Sequence, residues 1–426
     1  QGPDLQQAQG QLYLESAELD VLPWFVQFLP QSSRLQKAAL NFRAWAGLSG
    51  GQFTYLQLEL AENSLHWQRE AVQHSLKLGP GQLLWTPNSN GWQLLSTELT
   101  LADALTQWPG LTLQLSRADE QYLATLSDFQ LDALQPLAQL LAEDSEKLEA
   151  ILAYQPTGYL QQLQLRVRQE QWQLTGTVEA LSTVAVGDVP GLKQLQGQLA
   201  ATEHLIWLRL NGEQQSLDWD GLFPTPWDYQ QLVAELRLVP TTAGWQIQIP
   251  EFQLQLSDFE LAAEASITLG ERPELALLAQ LTGLDAAKAS QYFPQRYMPE
   301  KTRDYLSVAI EGGQLQQATV LWQGAFADYP FSDGAGHFQV YAGLQGGTFR
   351  FAPDWPALTE LQAALWFDNA AMLIEGQQGY LGLLPLTDPV QASIVDLRRA
   401  TQLDIRLNTE LDTAALTELM LVSSLQ

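Results

Sequence analysis

The amino-acid sequence predicts a mainly β protein of antiparallel strands, with a few short helices at the boundaries between groups of strands. Three observations carry this expectation. Apolar and polar residues alternate with a period of two: Trp245, Ile247 and Ile249 alternate with Gln246 and Gln248, and after Pro250, Phe252, Leu254 and Leu256 alternate with Gln253 and Gln255. Turn clusters such as Gly79-Pro80-Gly81 and Pro87-Asn88-Ser89-Asn90-Gly91 separate such runs. Helical spacing is confined to a few stretches.

Taken in order, Leu12 to Pro30 reads as a strand and then a short helix, with Ser16 as cap and Pro30 as stop. A second helical stretch is expected from Leu35 to Leu48. The chain breaks at Gly50-Gly51, after which Phe53, Leu56, Leu58 and Leu60 alternate with Gln57 and Glu59, and a meander of strands continues to Asp128. From Leu131 to Leu152, Leu134, Leu137, Leu141, Leu148 and Ile151 or Leu152 fall on one stripe, which predicts a helix ending before Pro156-Thr157-Gly158. Strands resume at Leu160 and run to about Leu281, with turns expected at Gly187-Asp188, Asn211-Gly212 and Thr242-Ala243-Gly244. A third helical insertion begins at Leu284 with Asp285 as cap. It includes a helix started by Pro299, whose missing N–H costs nothing there, and stopped by Gly312-Gly313. Tyr305, Leu306, Ala309 and Ile310 share one face of that helix. Leu315, then Ala318, Val320 and Trp322, point one way along the strand that follows, and Leu411 to Leu421 is the last helical candidate.

The helix-to-strand transitions repeat one another. Counted from a glycine, apolar residues or alanine stand at +2, +5, +7 and +9 three times: after Gly51 (Phe53, Leu56, Leu58, Leu60), after Gly158 (Leu160, Leu163, Leu165, Val167) and after Gly313 (Leu315, Ala318, Val320, Trp322). The expectation is one helix-capped β module used three times, over residues 1–130, 131–282 and 283–426. The apolar face of such strands must be covered by a second sheet, by helices or by something that is not protein. A closed sandwich and an open groove both satisfy the alternation.

Composition excludes several function classes. The chain has 426 residues, 46% of them hydrophobic, enough for a sizeable core. Its 21 Lys+Arg against 48 Asp+Glu give a formal net charge of −27, which repels nucleic-acid phosphates, so no nucleic-acid partner is expected. With no cysteine there is no disulfide, thiolate metal site or cysteine nucleophile. No apolar run reaches 18 residues, so no membrane span is expected within this chain. His66, His74, His204 and His337 are scattered without metal-ligand spacing. Gly47-Leu48-Ser49-Gly50-Gly51 matches G-x-S-x-G, but a nucleophile elbow needs a strand before the serine and a helix after it. Here a helical run is expected before it and a strand after, so it reads as a loop. Asp218 and Asp220 share a strand face, like a glycosidase pair, although a solvated strand end before a turn explains them more simply. No enzymatic activity, catalytic residue, metal or cofactor is expected.

One block resembles a known family. A Met298-Pro299-Glu300 helix start, a Gly312-Gly313 break, a Trp322-x-Gly324 strand, Tyr329-Pro330-Phe331, Gly336-x-Phe338, Pro353-Asp354-Trp355-Pro356 and Leu365-Trp366-Phe367 follow one another between Phe293 and Phe367. In this order they resemble the core signature of the YhdP family, long AsmA-like proteins of Gram-negative bacteria. Tyr305-Leu306 departs from it where Trp-Leu is expected. The resemblance implies an elongated, twisted antiparallel β-groove, a taco-like trough in the periplasm that carries phospholipid between the inner and outer membranes. It also implies an inner-membrane anchor, with both membranes engaged through regions outside this chain. Beginning at Gln1 without a signal peptide, the chain is expected to be a piece of a longer protein.

On that expectation the alternating positions line the groove, namely those of the Gly51 and Gly158 repeats, Leu315, Val320 and Trp322, and Trp245, Ile247, Ile249, Phe252, Leu254 and Leu256. The ligand is then the phospholipid acyl chain, each methylene of which gains about 0.8 kcal/mol on leaving water. No protein partner is specified. The alternatives are a glycan-binding, adhesin-like β protein, which the 14 Trp keep open, and a structural spacer of the envelope.

Overall fold

In the computed structural model, which describes residues 9–25, 34–69, 72–103, 106–133, 146–242, 244–386, 389–397, 404–406 and 413–423, the period-two runs become antiparallel strands joined mostly by tight turns. The chain divides into two compact units, Gln1–Val184 with Leu192–Ile206, and Ala185–Gly191 with Trp207–Gln426.

The first unit holds β1 (Gly10–Asp20), β2 (Arg34–Ser49), β3 (Gln52–Leu60), β4 (Asn63–Arg69), β5 (Val72–Leu78), β6 (Gly81–Asn88), β7 (Gly91–Ser96), β8 (Leu101–Ala102), β9 (Leu113–Ala118), β10 (Gln121–Gln130), β11 (Thr157–Arg168), β12 (Gln171–Ser182) and β13 (Leu195–Thr202). The long β2 pairs with β1 on one edge and with both β3 and β4 on the other, so the sheet forks there. One branch runs β3–β6–β7–β9–β10–β11–β12–β13, the other β4–β5–β8.

The second unit holds β14 (Ile206–Leu217), β15 (Trp227–Thr241), β16 (Gly244–Leu256), β17 (Glu260–Thr268), β18 (Glu274–Asp285), β19 (Ile310–Ala325), β20 (His337–Phe349), β21 (Leu358–Asp368), β22 (Ala371–Leu381), β23 (Leu384–Pro385), β24 (Val390–Ile394) and β25 (Asp404–Arg406). From β15 to β22 each strand pairs with the next, and β24 then joins β22 to β25. In neither unit, among the described residues, does the last strand pair with the first, so neither sheet closes into a barrel.

Helices are short: α1 (Leu22–Phe25), α2 (Glu146–Ala153), α3 (Glu300–Ala309) and α4 (Thr413–Val422), with 3-10 turns at Leu131–Ala133, Ala286–Tyr292 and Phe326–Asp328. Asp285 caps the turn at 286–292 as expected, its carboxylate accepting from the Ala287 N–H at 3.1 Å. Pro299 stands at the N-cap of α3, with Glu300 in the first turn. Leu381, Leu384 and Leu419 form a small core between β22, β23 and α4.

Several local expectations are corrected. Leu35 to Leu48 is not helical but lies in β2; Ala38, Leu40, Phe42, Ala44, Ala46 and Leu48 also alternate, and pairing on both edges outweighs the helix propensity of an Ala-rich run. Gly50 (φ 59°) and Gly51 (φ 72°) therefore form a two-residue hairpin turn between β2 and β3, so the G-x-S-x-G stretch has strands on both sides. Asn211-Gly212 makes no turn but lies inside β14, where the left-handed residue is Gln214 (φ 53°). Gly312-Gly313 do not end α3; the helix stops at Ala309 and both glycines belong to β19. Ser16 lies within β1 and caps no helix. Of the helix expected over Leu131 to Leu152, the structure shows the 3-10 turn and α2; Leu134, Leu137 and Leu141, like Pro30, lie outside the described residues.

Candidate functional site

The repeated spacing has a structural meaning. Each repeat contains one three-residue step followed by steps of two, and in each the strand gains one residue on a neighbour at that step. β3 shifts register against β2 between Tyr55 and Phe53, β11 against β12 between Gln161 and Gln164, and β19 against β20 between Leu315 and Gln317. Such a bulge inverts the side-chain parity of its strand, so residues three apart across it share a face. At the β11 bulge Gln162 takes the left-handed conformation (φ 52°). The opening glycines are constrained too: Gly158 (φ +117°) and Gly313 (φ +124°) lie so near the adjacent strand that a Cβ would fall 2.7 Å from Ala180 O or Gly347 Cα. β16 has the same device at Pro250, with Ile249 opposite Ala265 and Phe252 opposite Ala263. Its odd-numbered apolar residues before the proline and even-numbered ones after it therefore form one face.

Register then joins these faces into rows. In the first unit one row reads Leu12, Ala46, Leu56, Trp85, Leu94, Leu115, Ala124, Leu165, Leu174 and Ala201, apolar from β1 to β13. In the second unit Leu232, Leu254, Leu261, Leu281, Ala318, Ala342, Leu365, Ile374, Ala392 and Ile405 run from β15 to β25. Beside it lie Ala234, Phe252, Ala263, Ala279, Val320, Val340, Phe367, Met372 and Ile394. A row on the opposite face, Gln248, Ser266, Ala276, Gln323 and His337, is largely polar.

Burial along these rows is uneven. Leu232 and Leu254 are 2% and 1% exposed, and Leu256 is also buried, at the strand ends where Trp219, Phe223, Trp227, Phe259 and Tyr292 pack ring against ring. Burial pushes the Tyr229 phenol up to about 12, and burial together with the hydrogen bond to Asp258 does the same for Tyr292. The Lys288 ammonium beside Asp258 holds that carboxyl below its usual range. From β17 to β24, in contrast, every member of the two adjacent rows is only half-buried.

The expected positions follow this division. Leu60, Leu254 and Leu256 are buried; Leu160, Leu163, Leu165, Val167, Leu58, Trp245, Ile247, Ile249, Phe252, Leu315, Val320 and Trp322 are half-buried; Phe53 and Leu56 are 51% and 42% exposed. Row partners such as Ala279, Val340 and Phe367 complete the face but were not singled out from sequence, because their place depends on partner strands. Trp322 sits among Phe326, Tyr329, Phe331 and Phe338 at centroid distances of 5.3–5.6 Å.

Asp218 accepts from the Asp220 N–H, and Asp220 accepts from Arg296, which makes the pair part of a loop clamp. Among the described residues no group of three His, Asp or Glu could hold a metal ion, and no helix is long and apolar enough to cross a membrane.

A family model described as YhdP protein matches residues 2–426. The chain belongs to the YhdP family. The family expected from the block between Phe293 and Phe367 is thus the one found. Among curated proteins the chain is similar to the "Intermembrane phospholipid transporter YhdP" of Escherichia coli (strain K12), with 25% identity over 399 residues. The match covers 88% of this chain but 31% of that relative, so the chain spans about a third of the relative's length. No solved structure matches.

Proposed function

We propose that this chain is a segment of an intermembrane phospholipid-transfer protein, and that the apolar face of each unit lines a groove that shields acyl chains from water. The half-burial of the adjacent apolar rows from β17 to β24 is the observation that carries this reading. Two sheets packed face to face would take such side chains fully out of water, at about 25 cal/mol per Å² gained. Here that surface stays available to an apolar ligand. Bulges hold the face apolar along β3, β11, β16 and β19, and shielding acyl chains needs no specific polar contact. The role is non-enzymatic solvation, with the driving force supplied elsewhere.

The relative's name, intermembrane phospholipid transporter, supports the ligand and the setting. On this reading the segment works in the periplasm of a Gram-negative envelope, in a longer protein anchored in the inner membrane. On this reading the spacing repeated after Gly51, Gly158 and Gly313 marks three modules of the groove. Lining is assigned to the half-buried positions rather than to Leu60, Leu254 and Leu256, which protein already covers.

Site-specific photocrosslinking tests this. A photoreactive residue at Ile247 or Val320 is expected to capture phospholipid in cells, and one at Gln248 or Gln323, on the opposite face, is not. Equal capture from both faces, or from neither, would remove the assignment.

A further inference from the structure

The segment from the 286–292 turn to α3, together with Pro224, lines an open-mouthed cavity of about 260 Å³. Phe293 gives it an apolar wall, while Arg303, Asp304, Gln295 and Ser290 give it polar ones. This is smaller than the roughly 300–1,000 Å³ of a site for a drug-sized ligand and suits a small polar ligand.

Arg303 is the unusual member. Its Nε is buried and has no hydrogen-bond partner, a costly state for a charged donor. The same unit pairs Arg272 with Asp328, Lys288 with Asp258, Arg296 with Asp188 and Asp220, and Arg350 with Glu311. In a chain with 48 acidic residues against 21 basic ones, carboxylates are in surplus. Even so, among the described residues no carboxylate lies within ion-pair distance of Arg303, although Asp304 lines the same cavity. The planar guanidinium fork suits a phosphate, and the Gln295 amide and Ser290 hydroxyl are neutral donors beside it. Asp304 works against a purely anionic ligand and favours one that also carries an ammonium group.

The wall is held in place. The Gln295 N–H donates to Leu222 O at 2.7 Å, Arg296 donates to Gly187 O and Asp220 O, and Lys288 and Tyr292 both donate to Asp258 between β16 and β17. Leu256 and Leu284, the last apolar residues of β16 and β18, end nearby.

We propose that this cavity binds a zwitterionic phosphate ester, with the phosphate on Arg303, Gln295 and Ser290 and the ammonium on Asp304. Resting on the lipid-groove reading, the natural source is a phosphoethanolamine-type headgroup whose acyl chains lie on the apolar face; a soluble phosphate ester offers the same chemistry.

Two arms test the proposal on the purified chain. In the first, the chain is loaded from vesicles of equal phosphatidylethanolamine and phosphatidylglycerol with matched acyl chains, and the bound lipid is identified by mass spectrometry. Enrichment of the ethanolamine lipid is expected in the unmodified chain. It should vanish in Arg303→Gln, Arg303→Met and Asp304→Asn. In the second, glycerophosphoethanolamine, glycerophosphoglycerol and inorganic phosphate are titrated against the same proteins. Glycerophosphoethanolamine should bind tightest, and its affinity should fall at least tenfold in Arg303→Gln.

Soluble-ester binding that depends on both residues, without lipid enrichment, would support the site and assign it to a free ester. Binding of inorganic phosphate that ignores Asp304→Asn would overturn the zwitterion. Variants that stay folded by near-ultraviolet circular dichroism and leave both arms unchanged would overturn the site. A chain that takes up no lipid fails the groove reading alone, because the second arm remains readable.

Discussion

Replacing Ile247 by Asp separates an open apolar face from a closed one. Ile247 is half-buried in the row Leu238, Ile247, Ile267, Leu275. Fully burying an isoleucine is worth about 1.5–3 kcal/mol, so losing half of that costs about 1 kcal/mol. A carboxylate there keeps its water and adds little more. Leu254, at 1% exposure, is the contrast: Asp at that site is an unpaired buried charge, costs several kcal/mol and disrupts the fold. An acyl chain crossing Ile247→Asp must leave the wall around a hydrated carboxylate. Losing contact over about four methylenes at 0.8 kcal/mol each removes about 3 kcal/mol, or about a hundredfold in retention. Urea unfolding and lipid bound per protein are the two readouts. A loss above about 4 kcal/mol in Ile247→Asp would mean that protein covers the face, whereas a folded variant with undiminished lipid would mean that Ile247 does not line the path.

Three further outcomes follow from the local geometry. Gly313→Ala should destabilise by about 1–3 kcal/mol, because φ is +124° and the new Cβ would meet Gly347 backbone; Gly187→Ala, at φ +61° in open space, should cost only about 1 kcal/mol in the same unfolding assay. Inserting one residue between Leu163 and Gln164 turns Leu165 and Val167 to the face opposite Leu160 and Leu163, so the insertion should lose cooperative unfolding, whereas Gln162→Gly, which suits the left-handed backbone there, should keep it. Asp258 is depressed by its hydrogen bond to Lys288, so its stabilisation is present above the unfolded carboxyl value of about 4 and is lost as pH falls through the lower folded value. Acid unfolding of Asp258→Asn should accordingly lack that part of the pH dependence seen in the unmodified chain.

The parts of this architecture that were legible in the sequence are the local ones. The alternation from Trp245 to Leu256 gave the strand, and the step across Pro250 became a bulge that preserves its face. The three-residue step after Gly51, Gly158 and Gly313 held the same information, although it read first as a repeat. Where two periodicities coexist, as in β2, local spacing could not decide, because the deciding bonds come from β1, β3 and β4. Asn211-Gly212 misled for a related reason: a turn dipeptide is extended when strand pairing claims it. The rows themselves were not legible, since Val320 meets Ala279 and Val340 only through non-local register. Nor was the Arg303 cavity, whose walls come from segments some 80 residues apart in the chain.

The most direct test of the central claim is organic extraction of the purified, detergent-free chain followed by mass spectrometry. The groove account predicts phospholipid at near-stoichiometric or higher amounts, reduced in Ile247→Asp. A clean extract from folded protein that also refuses added phospholipid would contradict it and favour a closed β structure that binds glycan or serves as a spacer.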